Sequence, residues 1–281
     1  MTFLVTVDWL HDRMNESGED IVVLDTRFDL HDSEVGHKAY LDGHIPGAVY
    51  LDLNQDLSGE KKQHGGSHPL PDIETFAERL GSAGIDNQKA VVIYDQGNDM
   101  FASRCWWLLA YYGHEKVFLL DGGFASWRDK GYPVSRKIPH PVPETFLPKI
   151  QTEQVVDIDY VKQKAGDSNS HLIDSRSPQR YLGKTEPLYQ KAGHIPGAKN
   201  FFWKQVLTDS GSWKSKAELM DHFASLPADE EIIVSCGSGV SACPNIIALK
   251  AAGYQNVKLY PGSFSDWISY PENNVVTEKD E

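Results

Sequence analysis

The chain has 281 residues, of which 40% are hydrophobic, 24% charged and 11% aromatic. That length suits two domains with buried cores, and the balance excludes a disordered tail or a fibrous repeat as a description of the whole. A formal net charge of −13 argues against a general nucleic-acid binder, and it requires a local positive site to hold any anionic substrate. No apolar run reaches the roughly 18 residues of a membrane span, and the opening MTFLVTVDWLHDR lacks a basic region ahead of an apolar one. A cytoplasmic protein without a membrane partner is therefore expected. Three cysteines, Cys105, Cys236 and Cys243, are too few for a disulfide framework, so any cysteine chemistry is expected to involve a free thiol.

In chain order, β-branched runs predict strands at 21–25, 90–94 and 117–120, with amphipathic helices at 72–82 and 102–112 between them. After Ile138-Pro-His-Pro-Val-Pro143 the alternation resumes, with strands at 171–174, 231–235 and 257–260 and helices at 215–225 and 242–252. Gly113 and Gly253 are the expected C-terminal stops of two helices. Strands alternating with helices predict an α/β fold with a mainly parallel sheet in each half. The closely spaced prolines favour an extended connection. The expected organisation is a first domain over 1–137, a linker over 138–147 and a second domain over 148–281.

The two halves carry the same landmarks in the same order. Asp25-Thr-Arg27 follows the first strand, and Asp174-Ser-Arg176 its counterpart about 150 residues later. GHIPGA occurs at Gly43–Ala48 and again at Gly193–Ala198, and a Gly-x-Phe-x-x-Trp pattern at Gly122–Trp127 and Gly262–Trp267. Because His44 and His194 recur in both copies, a shared structural hydrogen bond is the expected role of each. The first half is longer by a polar, Gly-rich stretch, Ser58–Ser67, that reads as a surface loop.

In the second half the strand ending at Ser235 runs into Cys236-Gly237-Ser238-Gly239-Val240-Ser241 and then a helix. Glycines let successive backbone N–H groups turn inward, and the helix N-terminus adds partial positive charge. Such surroundings favour a nucleophilic thiolate. A buried cysteine beside a tight turn is the alternative that these residues alone leave open. In the first half Asp95 stands where the cysteine would be.

The tandem landmarks, the paired GHIPGA segments and the single Cys-led loop resemble the two-domain rhodanese-type sulfurtransferases. The neutral Cys-Gly-Ser-Gly-Val-Ser loop resembles the 3-mercaptopyruvate sulfurtransferase branch. The resemblance implies two tandem rhodanese-like domains; no Cys/His spacing suggests a zinc site and neither GxGxxG nor a P-loop occurs, so no metal or nucleotide cofactor is expected. It implies that Cys236 takes a sulfur as a persulfide and passes it to a thiol, thioredoxin or cyanide acceptor. The N–H groups of Gly237, Gly239, Val240 and Ser241 would stabilise the charge, and Ser238 would bond the donor carbonyl as it becomes an enolate. Arg180 would anchor the carboxylate of a small anionic donor. His68 matches the histidine of an Asp–His pair whose aspartate position is Asn54, with Asp52 nearby. A second carboxylate-binding arginine is missing between Arg180 and Gly193, leaving Lys184 or Lys191 to supply that charge.

Three alternatives accompany this reading. One is a thiosulfate sulfurtransferase, and another is a non-enzymatic interaction module. A cysteine phosphatase needs an arginine where this chain has Ala242, which argues against the third.

Overall fold

The computed structural model describes residues 3–16, 21–97, 100–167 and 171–278. The chain divides into two compact units. The first comprises Met1–Gly59, Pro71–Gln151 and Asp209–Trp213, and the second Glu60–Leu70, Thr152–Thr208 and Lys214–Glu281. Each unit therefore includes a short segment from the other half of the sequence. Trp213 packs edge-on against Phe3 in the first unit at 5.1 Å. Among the described residues no helix is long and apolar enough to cross a membrane.

The first unit runs β1 (Leu4–Val5), α1 (Val7–Asn15), β2 (Ile21–Asp25), α2 (Glu34–Asp42), β3 (Val49–Tyr50), α3 (Ile73–Ser82), β4 (Ala90–Tyr94), α4 (Met100–Tyr111), β5 (Val117–Leu120) and α5 (Gly123–Asp129). Its five strands form a parallel sheet in the order β1-β5-β4-β2-β3. The second runs α6 (Ile158–Lys164), β6 (His171–Asp174), α7 (Pro178–Tyr181), β7 (Lys199–Asn200), α8 (Lys216–His222), β8 (Ile232–Ser235), α9 (Cys243–Ala252), β9 (Val257–Leu259) and α10 (Ser263–Trp267). Its parallel sheet has the order β7-β6-β8-β9. The two parallel-sheet units are the α/β fold that the alternating pattern predicts. In both, the central strands are continuous apolar runs, because a parallel sheet covered by helices is buried on both faces.

The expected strands all form, and helix ends shift by one to three residues where local caps decide them. Asp72 accepts the Glu74 and Thr75 N–H groups and starts α3. Ser215 and Glu218 close a capping box at the start of α8, which ends at His222 rather than 225. Gly253 caps α9 with φ of 110°. The two-residue strands β1, β3 and β7 and the short helices α5, α7 and α10 carry too little periodicity to be read from sequence. Segment 144–151 runs along the first unit: Glu144 N–H donates to Gly81 O at 2.9 Å and Lys149 N–H to Tyr112 O at 2.8 Å. Phe146 is buried there, and the boundary between units falls at Gln151/Thr152.

The repeated motifs are the parts that lock each unit together. Register pairs Asp25 with Tyr94 and Asp174 with Ser235, so both aspartates sit at the carboxyl ends of central strands. Arg27 folds back onto Asp25, with Nη2 at 2.6 Å from Oδ2, and also donates to Gly43 O at 2.7 Å. Arg176 repeats this on Asp174 and Gly193 O with the same 2.6 and 2.7 Å. The guanidinium groups then stack on Phe124 at 4.2 Å and Phe264 at 4.0 Å. Thus Asp-x-Arg, the first glycine of GHIPGA and the phenylalanine of Gly-x-Phe-x-x-Trp meet at one buried point in each unit. His44 and His194 have the shared structural bond expected of them, each placing Nδ1 2.8 Å from a tyrosine carbonyl, of Tyr40 and Tyr181 respectively. Gly36 is required by this arrangement, since a Cβ there would lie 1.9 Å from Arg27 O.

Both members of the Asp25–Arg27 pair are buried, so removing one leaves an uncompensated charge. Asp25→Ala is expected to destabilise the first unit by about 3–5 kcal/mol. A lowered midpoint in urea unfolding of the full chain checks this, and a midpoint equal to the parent's would show that the pair is dispensable.

Candidate functional site

Strand β8 delivers Cys236 to the carboxyl edge of the second sheet, the edge where parallel α/β folds bind ligands. The loop that follows is tied down by the Gly-x-Phe-x-x-Trp segment. Cys236 N–H donates to Ser263 Oγ at 3.0 Å, while Cys236 O accepts from Phe264 N–H at 3.0 Å and Gly237 O from Ser265 N–H at 2.9 Å. Gly239 has φ of 78°, and a Cβ on it would lie 2.4 Å from Pro261 O. Only glycine fits this turn, which aims the Gly239 N–H at Cys236 Sγ with a separation of 3.1 Å. The loop thus forms a backbone cradle for negative charge ahead of the N-terminus of α9.

The rest of the loop divides between packing and site. Val240 is buried, and its carbonyl accepts from Cys243 N–H at 3.1 Å; Ser241 is half-buried. Cys243 is also buried and places Sγ 3.3 Å from Gly239 O. A Cβ on Gly237 would meet the Tyr189 hydroxyl at 2.9 Å, so this glycine leaves room for the tyrosine. In the first unit the same loop position holds Asp95. Its carboxylate accepts from the N–H groups of Gly97, Phe101 and Ala102 at 2.9, 3.1 and 3.2 Å. There the cradle is filled by the protein's own anion. Cys105 in α4 is packed, and burial pushes its thiol up.

Segment 60–70 lies against the cysteine loop's support as part of the second unit. Gly65 N–H donates to Asp266 Oδ1 at 2.7 Å, Ser67 N–H donates to Ser265 Oγ at 2.9 Å, and His64 Nδ1 lies 2.8 Å from Ser269 Oγ. These bonds place His68 Nδ1 2.7 Å from Ser238 Oγ. Asp52, by contrast, caps a turn in the first unit, accepting from the N–H groups of Asn54 and Gln55 at 2.8 and 3.0 Å.

The positive groups are arranged less simply than the sequence suggests. Arg180, on α7, gives Nε and Nη2 to Glu186 at 2.8–3.2 Å. Glu186 also accepts from Arg176 Nη1 at 3.2 Å and has only 2% of its side chain exposed. Burial works against the Arg176 charge, but Asp174 and then Glu186 outweigh it and hold its pKa above the ordinary value. Lys184 lies apart from this group, paired with Glu278 at 2.8 Å on an exposed surface.

Tyr189, which sequence reasoning missed, brings its hydroxyl against the cysteine loop, 2.9 Å from where a Cβ on Gly237 would lie. Burial, and next the negative charge of Cys236, raises the pKa of its hydroxyl. Glu186 was missed as well. Both sit in the stretch where an arginine was sought, so a search for one residue type passed over a carboxylate and a phenol. Among the described residues no group of three or more His, Cys, Asp or Glu side chains comes together as a metal site.

Comparison with known proteins gives this geometry its context. The rhodanese-like domain family matches the chain twice, over residues 6–130 and 157–270. The chain is 38% identical over 280 residues to a probable 3-mercaptopyruvate sulfurtransferase of Pseudomonas aeruginosa, covering 98% of both chains. It is 35% identical over 274 residues to a putative thiosulfate sulfurtransferase, SseB, of Mycobacterium tuberculosis, covering 93% of each. Among solved structures it matches SseA of Escherichia coli, described as a 3-mercaptopyruvate sulfotransferase, with a TM-score of 0.83 and 34% identity over 94% of this chain and 100% of that one. The chain therefore belongs to the rhodanese-like family, as a tandem-domain member whose relatives along its full length are sulfurtransferases.

Proposed function

We propose that the protein is a sulfurtransferase that moves a sulfur from 3-mercaptopyruvate through a Cys236 persulfide to a thiol or thioredoxin-type acceptor in the cytoplasm. The observation that carries this is the Cys236 loop, where a thiol in a backbone N–H cradle adjoins the Ser238–His68 pair. Cys236 thiolate attacks the donor's sulfur. The S–Sγ bond forms as the donor's C–S bond breaks, and the electron pair of that bond becomes the enolate of pyruvate. Ser238, oriented by His68, donates a hydrogen bond to the carbonyl oxygen as charge gathers there. The enolate takes a proton and leaves as pyruvate. In the second half-reaction an acceptor thiolate attacks the outer sulfur, and the S–S electron pair returns to Cys236 Sγ.

Arg180 is the donor's carboxylate anchor in this reading. Glu186 takes the Nε/Nη2 edge of Arg180, which leaves the Nη1/Nη2 edge to meet the donor's carboxylate. The neutral loop favours a carbonyl donor over thiosulfate, whose leaving sulfite needs positive charge next to the cysteine.

Three measurements check the assignment. Incubation with donor should add one sulfur, about 32 Da by intact mass, and Cys236→Ser should abolish both adduct and turnover. An adduct that survives the substitution would place the carrier elsewhere. Ser238→Ala should lower kcat with 3-mercaptopyruvate about 100-fold and spare thiosulfate turnover, which has no carbonyl to stabilise. An equal loss with both donors would assign Ser238 to loop structure. Arg180→Ala should reduce kcat/KM for 3-mercaptopyruvate by about tenfold to 100-fold, and unchanged kinetics would remove it from the donor site.

A further inference from the structure

The second unit contains a cavity of about 290 Å3 whose lining includes Lys61, Lys62 and Ser67 from segment 60–70, Tyr189 and Lys191 from the stretch before GHIPGA, and Ser265. Three of its lining residues are lysines and none is acidic. In a chain with a net charge of −13 this is a local reversal of sign. None of the three ammonium groups has an ion-pair partner among the described residues. Lys61 and Lys62 are exposed and Lys191 half-buried, so their charge is available to a ligand entering from solvent.

Cys236, Ser238 and Arg180, the groups assigned to the donor, do not line this cavity. What joins it to the cysteine loop is Tyr189 together with Ser67. Both line the cavity; the Tyr189 hydroxyl lies 2.9 Å from where a Cβ on Gly237 would sit, and Ser67 directly precedes His68, whose Nδ1 is 2.7 Å from Ser238 Oγ. The cavity therefore adjoins the cysteine loop at Tyr189. Its volume is near the lower bound, about 300 Å3, of pockets that bury small organic ligands. Three unpaired cations exceed what a donor with one carboxylate requires.

We propose that this cavity is the subsite for the sulfur acceptor and that it takes a small thiol bearing two or more carboxylates. The proposal rests on the persulfide reading above. The carboxylates sit against Lys61, Lys62 and Lys191 while the acceptor's thiolate points toward the Tyr189 wall. The thiolate sulfur forms a bond to the outer sulfur of the Cys236 persulfide. The S–S bond of the persulfide breaks, its electron pair returns to Cys236 Sγ, and the product leaves as the acceptor's persulfide. No oxidant or reductant is consumed. Attraction by exposed ammonium groups is screened over about 8 Å at physiological ionic strength, so acceptor binding is salt-dependent.

The test uses the full chain, loaded with one sulfur by 3-mercaptopyruvate and mixed with one of two single-thiol probes. Mercaptosuccinate carries two carboxylates and 2-mercaptoethanol none. Sulfur discharge is followed by intact mass in the parent and in the Lys61→Gln/Lys62→Gln variant. The variant should raise the half-saturating concentration of mercaptosuccinate about fivefold at low salt. It should leave discharge to 2-mercaptoethanol and loading by 3-mercaptopyruvate within twofold of the parent. An unchanged mercaptosuccinate response, or an equal loss with both probes, overturns the proposal. Slower loading with unchanged discharge also overturns it and makes the cavity a donor site. A parent chain that never gains sulfur overturns the persulfide reading itself, and the acceptor subsite with it.

Discussion

The buried aspartate–arginine pair at the end of a central strand is the interaction on which the rest of each unit depends. An arginine with its side chain fully buried, as Arg176 is, is tolerable only when its charge and donors are met. Asp174, the Gly193 carbonyl, Glu186 and the face of Phe264 meet them from four parts of the chain. Those parts are thereby brought to one point, directly behind the cysteine loop. The segment carrying Phe264 holds Cys236 and Gly237 by their backbones, so the placement of the Cys236 thiol follows from how one guanidinium is satisfied.

The two units use that frame differently. The first adds Tyr94, whose hydroxyl donates to Asp25 at 2.7 Å, and fills its cradle with Asp95. The second has Ser235 at the corresponding register, adds Glu186 on the arginine, and places a thiol in the cradle. One scaffold of backbone N–H groups thus holds a carboxylate in one copy and a thiol in the other. The difference is the side chain after the strand. A carboxylate there carries its own charge into the cradle, whereas a thiol can take on charge and sulfur in turn.

Much of this was legible in the sequence because repetition makes its own alignment. The paired Asp-x-Arg, GHIPGA and Gly-x-Phe-x-x-Trp segments marked the residues that meet in space, and β-branched runs marked all six principal strands. Cys236 stood out because a thiol, two glycines and a helix start fall together. The electrostatics were less readable. Arg180 looks like an unengaged cation in the sequence, and only the fold brings Glu186, six residues on, against both it and Arg176. Tyr189 lies 48 residues before Gly237, the glycine that leaves it room, and Ser67 farther still, so no local pattern announced them. The Ser58–Ser67 stretch was read as a surface loop from its glycines and polar residues. Its hydrogen bonds to Ser265, Asp266 and Ser269 are long-range pairings that composition does not encode.

That stretch also constrains how such a chain can be inherited. Residues 60–70 complete the unit that holds Cys236, although they are encoded well ahead of it. A gene divided at the proline-rich segment would yield a downstream product without His68, Lys61 or Lys62, and no short extension of its start would restore them. The second unit is complete only when both stretches are translated in one reading frame.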